Sequence, residues 1–130
     1  MSRIERSRLI NVGYIYEKLV LGGLLESIVT APLKESSLQR RVVMVLRSIY
    51  TLREEDFPDD LKEDWRKLKA ADERPIDPRN LWLTKIEDET AARAMSLTRK
   101  EAKEVLRAYV NIVIEITQKI GAARKSAART

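Results

Sequence analysis

In the last third of the chain, Ala102, Val105, Tyr109, Ile112, Val113, Ile116 and Ile120 recur at intervals of three and four. That spacing lays one apolar stripe down almost five turns of an α-helix and fits no strand, whose faces alternate every second residue. Both ends carry stop signals. Thr98 with Glu101 three residues on is a capping box, in which each side chain satisfies the other's free amide. Gly121 stands where a left-handed C-cap residue is expected. The spacing predicts a helix over 99–120. The β-branched run Val110–Ile116 is the one argument for a strand, and no turn signals bound it.

The same periodicity predicts a helix over 37–53, opened by Ser36 with Gln39 in the capping-box position and buried through Leu38, Val42, Val45, Leu46, Ile49 and Leu52. A first helix is predicted over 4–30, ended by Ala31-Pro32, because the residue before proline is pushed out of helical geometry. Gly22-Gly23 inside it marks a close crossing, a kink or a break. Pro58 followed by Asp59 and Asp60 reads as a helix opening, with Leu61, Trp65 and Leu68 on its apolar face. Residues 73–78 read as a loop. Asp77-Pro78 then starts another helix with Leu81, Trp82 and Ile86 inward and the small residues Ala91, Ala92 and Ala94 beyond them. Trp65 and Trp82 are expected to anchor the short helices to the bundle. The expected architecture is all-α, a compact single-domain bundle of four to five helices over 1–121, with a basic, frayed tail over 122–130.

Charge is laid out in three blocks. Residues 1–53 net +5, residues 54–95 net −5, and residues 96–130 net +5 again. The middle is expected to neutralise its flanks, within one fold or across an assembly, leaving a basic surplus. Charged residues make up 35% of the chain, well above the usual quarter or so, while the apolar share of 44% is near normal. Amphipathic helices with charged outer faces satisfy both figures.

With no Cys and no His, the chain cannot build disulfides, zinc fingers, thiolate nucleophiles or imidazole bases. The longest unbroken apolar stretch, 19–25, is seven residues, far short of the roughly 20 a membrane span needs. No cofactor is implied and no membrane partner is expected; a cytoplasmic protein is the expectation. Paired carboxylates one turn apart, Asp60 with Glu63 and Glu101 with Glu104, are the kind of groups that hold Mg²⁺. Helix opening and capping account for them more simply.

Two binding surfaces are legible. Arg40, Arg41 and Arg47 on the second helix, Arg99, Lys100, Lys103 and Arg107 on the last, and Arg124 and Lys125 in the tail form basic stripes suited to nucleic acid or another anionic partner. Their plainer role is to solvate helix faces. A second apolar side on three helices (Leu21, Leu24 and Ile28; Val43 and Tyr50; Leu106, Val110 and Ile114) suits a subunit interface, most simply a two-fold homodimer. The function expected from these features is a non-enzymatic binding or adaptor protein acting as a homo-oligomer, with a phosphate-backbone-binding accessory protein as the alternative.

Overall fold

The computed structural model describes residues 13–17, 19 and 37–128. The predicted first helix beyond 13–19, Gly22-Gly23, the Ser36 cap and the interface candidates Leu21, Leu24 and Ile28 lie outside the described residues. The chain is all-α, and no strand occurs among the described residues. Residues 13–16 are helical, and between residues 37 and 128 five α-helices follow one another: α1 (Ser37–Ser48), α2 (Lys62–Asp72), α3 (Leu83–Ile86), α4 (Glu89–Met95) and α5 (Arg99–Ala128). Three 3-10 turns, Glu54–Asp56, Asp59–Leu61 and Pro78–Asn80, join them.

The long α5 is the axis of the bundle, and the predicted stripe is its buried face: Ala102, Tyr109, Ile112 and Ile116 are fully buried, with Val105 and Val113 close behind. The capping box forms as expected. The Thr98 amide donates to Glu101 Oε1 at 3.0 Å, and the Glu101 amide donates to Thr98 Oγ1 at 3.1 Å. At the other end the expectation fails. Gly121 does not end the helix, which runs on to Ala128. Ala122, Ala123, Arg124, Lys125 and the alanines beyond are good helix formers, and nothing in that run stops propagation.

Helix α2 packs along α5 in the opposite direction, as polar contacts on their flanks show. Asp60 meets Lys119, Asp64 accepts from the Asn111 side-chain amide, and Arg74 engages Glu101. Leu61, Trp65 and Leu68 are buried as predicted, and Trp65 stacks on Phe57 with ring centroids 4.8 Å apart. Pro58 precedes the 3-10 turn Asp59–Leu61 as its N-cap rather than sitting inside an α-helix.

Helix α1 ends at Ser48, five residues before the predicted boundary, in a turn where the Leu52 amide donates to the Ile49 carbonyl at 2.9 Å. Ile49 and Leu52 stay buried on that turn. A spacing of three does not distinguish a helix from a tight turn that buries the same two side chains.

The predicted helix beginning at Asp77 is three pieces. Asp77 caps the 3-10 turn Pro78–Asn80 by accepting from the Arg79 amide at 2.9 Å. Extended backbone at Asp88 then breaks the chain between α3 and α4, and Asp88 Oδ1 caps α4 by accepting from the Ala91 amide at 2.7 Å. The break reverses the expected burial. Leu81, Trp82 and Ile86 are 52%, 55% and 72% exposed, so Trp82 is no anchor, whereas Ala91, Ala92 and Ala94 are fully buried. Side chains this small let α4 lie close against α1 and α2. Ser96 ties the preceding loop to the end of α4: its hydroxyl donates to the Ala92 carbonyl at 2.7 Å and accepts from the Asp77 amide at 2.8 Å.

Candidate functional site

The described cations divide into two populations. Most of those on α1, α2 and the connectors are engaged by carboxylates, many of them from the acidic middle of the chain. Arg40 Nη1 reaches both oxygens of Glu87 at 2.6 and 2.8 Å, and Arg47 Nη2 donates to Asp88 Oδ2 at 2.7 Å. Arg66 pairs with Glu54 at 2.6 Å, Lys62 with Asp59 at 3.0 Å, and Lys119 with Asp60 at 3.1 Å. Arg74 pairs with Glu101. The middle block therefore does neutralise parts of both flanks within one chain. Arg41 is half-buried on α1.

Lys119 apart, the cations of α5 behave differently. Arg99, Lys100, Lys103, Arg107, Arg124 and Lys125 are exposed and form no ion pair with a described residue. Glu104, four residues after Lys100, does not pair with it. At 100° per residue, Arg99, Lys103 and Arg107 share a face with Val110 and Ile114, with Lys100 at its edge. That face carries no carboxylate, since Glu101, Glu104 and Glu115 fall to the sides or toward the core. Extension of α5 past Gly121 carries Arg124 and Lys125 onto the same rod. The cations then span about 40 Å at 1.5 Å per residue.

The basic residues read from sequence thus separate: Arg40 and Arg47 are occupied, and the α5 set is open. The apolar candidates separate too. Val43 is buried in the core, and Leu106 packs half-buried against it. Val110 and Ile114, 40% and 48% exposed, sit at the middle of the cationic face, and Tyr50 is 88% exposed on the turn after α1. Sequence reasoning missed the exposed cluster Leu81, Trp82 and Ile86. Asp88 directly before Glu-Thr-Ala-Ala was the signal, because a capping Asp there ends whatever helix precedes it.

Other candidates are weaker. Asp60 is held by Lys119, while Glu101 serves both the cap and Arg74. Among the described residues no three carboxylates gather to hold a metal ion. A cleft of about 510 Å³ beside α2 sets Arg53, Arg66 and Lys69 among Glu54, Glu55 and Glu73. Mixed charge of that kind cancels rather than focusing on one ligand sign. Tyr109, fully buried, donates its hydroxyl to the Leu19 carbonyl at 2.7 Å, and burial pushes its pKa up to about 12. That phenol is a core hydrogen bond, with no access to a substrate. No described helix is long and apolar enough to cross a membrane. Comparison of the chain with protein-family models, with curated proteins and with solved structures finds no match in any of the three.

Proposed function

We propose that the protein is a non-enzymatic binding module that grips the phosphate backbone of nucleic acid along the outward face of α5. One observation carries this reading: carboxylates engage most of the arginines of α1, α2 and the connectors, whereas Arg99, Lys100, Lys103, Arg107, Arg124 and Lys125 of α5 have no ion-pair partner among the described residues. Unpaired cations lined up on one rigid rod gain free energy by releasing counterions from a polyanion. The net charge of +5 and pI near 9.6 set the same sign at long range. Contacts of this kind read backbone rather than base sequence, so binding is sequence-tolerant. A cytoplasmic setting goes with this reading, since its partner would be met there.

The test is a titration of labelled single-stranded and duplex DNA across a salt series. Binding weakens steeply with salt. Replacing Lys100, Lys103 and Arg107 together by Gln lowers the log–log slope by about 2 to 3, at roughly 0.7–0.9 per phosphate contact. Failure to bind either DNA or RNA at low salt refutes the proposal, and binding to anionic vesicles in their place would assign the face to a lipid surface.

Self-association is the second reading, favoured by Val110 and Ile114, exposed one turn apart. Two copies of α5 crossing antiparallel about these residues would set Arg107 against Thr117 and Lys103 against Gly121, which avoids cation–cation contact at the centre. Two aliphatic side chains fall far short of the roughly 800 Å² per partner of a stable interface, so the polyanion reading ranks first. A sedimentation mass twice that of the chain, lost in Ile114→Glu, would reverse that order.

A further inference from the structure

The segment 81–88 lies on the bundle with little apolar hold. Leu83 is the buried side chain of α3, whereas Leu81, Trp82 and Ile86 face solvent. Charge ties its end to α1: the two-pronged contact of Arg40 with Glu87 and the Arg47–Asp88 pair. These side chains are 28–54% exposed, and ion pairs at that exposure are weak and screened by salt. The neighbourhood matters as well. The Gln39 side-chain amide donates to the Leu97 carbonyl at 3.4 Å, which brings the start of α1 to the start of α5. Arg40 is therefore one residue from this hydrogen bond and Arg99 is two.

We propose that Glu87 and Asp88 act as a resident anion, covering Arg40 and Arg47 until a nucleic-acid strand lying on α5 takes them over. This inference rests on the phosphate-binding reading of α5. The chemistry of the exchange is symmetrical. A guanidinium offers parallel N–H donors to a carboxylate or to a phosphate alike, so the polymer replaces one oxyanion with another. The acidic strap then limits binding to polyanions long enough to reach from α5 to α1, and it disfavours small anions. It also accounts for a basic pair on α1 that would otherwise look silenced.

Binding of a labelled oligodeoxythymidylate at low salt tests the inference in wild type, Glu87→Gln and Glu87→Gln/Arg40→Gln. Glu87→Gln leaves the Asp88 cap of α4 in place, and unchanged amide protection in α5 verifies the fold. The expected result is about two- to five-fold tighter binding in Glu87→Gln, the equivalent of one surface ion pair, and loss of that gain when Arg40→Gln is added. Saturating wild type with the oligonucleotide also speeds hydrogen exchange at the Glu87 amide, which donates to the Leu83 carbonyl at 2.8 Å. Unchanged affinity in Glu87→Gln, a gain that persists beside Arg40→Gln, or unaltered exchange at Glu87 overturns the strap while the α5 reading stands. Absence of wild-type binding overturns both.

Discussion

Glu101 shows how much one side chain carries here. One carboxylate oxygen accepts from the Thr98 amide, and the other holds Arg74 at the far end of α2. Thr98→Ala removes the reciprocal half of the cap and is expected to lower stability by about 1 kcal/mol, read as the shift in the urea midpoint. Gly121 gives the opposite sign. It lies inside α5, and a Cβ built there meets nothing within 4 Å. Gly121→Ala is therefore expected to stabilise by roughly 0.5–1 kcal/mol, because alanine gives up less backbone freedom than glycine in a helix. A fall in midpoint would mean that the helix ends at that glycine after all. The cap at Thr98 was legible because both partners are three residues apart. The role of Gly121 was not, since glycine favours the position just after a helix and only the geometry of its neighbours shows it inside one.

Between Asp77 and Met95 the chain makes three short helical pieces where periodicity suggested one helix, and Asp88 is the divider. Hydrogen bonding from the Ala91 amide holds its carboxyl below the usual range; burial pushes the other way, and the Arg47 guanidinium adds to the lowering. Asp77 is likewise lowered, first by the Arg79 side chain and then by its amide. A folded pKa below the unfolded one means that the unfolded chain binds the proton more readily. The stabilisation is present above about pH 4 and is lost as pH falls through the lowered values. Asn caps about as well as Asp, so Asp88→Asn should stay near wild type at neutral pH but lose less stability in acid. Asp88→Ala should cost about 1 kcal/mol at neutral pH as well. Urea midpoints taken from pH 6 down to pH 3 separate the two. If Asp88→Asn matches the acid slope of wild type, the carboxylate is not held as described.

The molecule as a whole is organised around α5, whose inner face makes the core and whose outer face presents the cations. Tyr109 reports on the integrity of that core from the alkaline side. Its folded pKa is raised to about 12 by burial. The resulting stability is complete below about pH 10, the unfolded value, and drains away as pH climbs toward the folded one, at about 1.4 kcal/mol per pH unit. Tyr109→Phe, which forfeits the bond to the Leu19 carbonyl, should be weaker at neutral pH by about 1 kcal/mol yet flatter above pH 10. Denaturant midpoints of the two proteins from pH 8 to 11.5 give the comparison, and parallel profiles would place the phenol in solvent. The all-α class, the buried stripe of α5, the apolar face of α2 and the Thr98 cap could be read from residue order, because each depends on neighbours within one helical turn or on a fixed period. Which cations stay open could not. Arg40 and Arg107 look alike in the chain, and they differ because folding brings Glu87, forty-seven residues away, onto the first and pairs no described carboxylate with the second. Pairing across such separations depends on where helices pack, and so the face that meets a partner emerged from packing rather than from pattern.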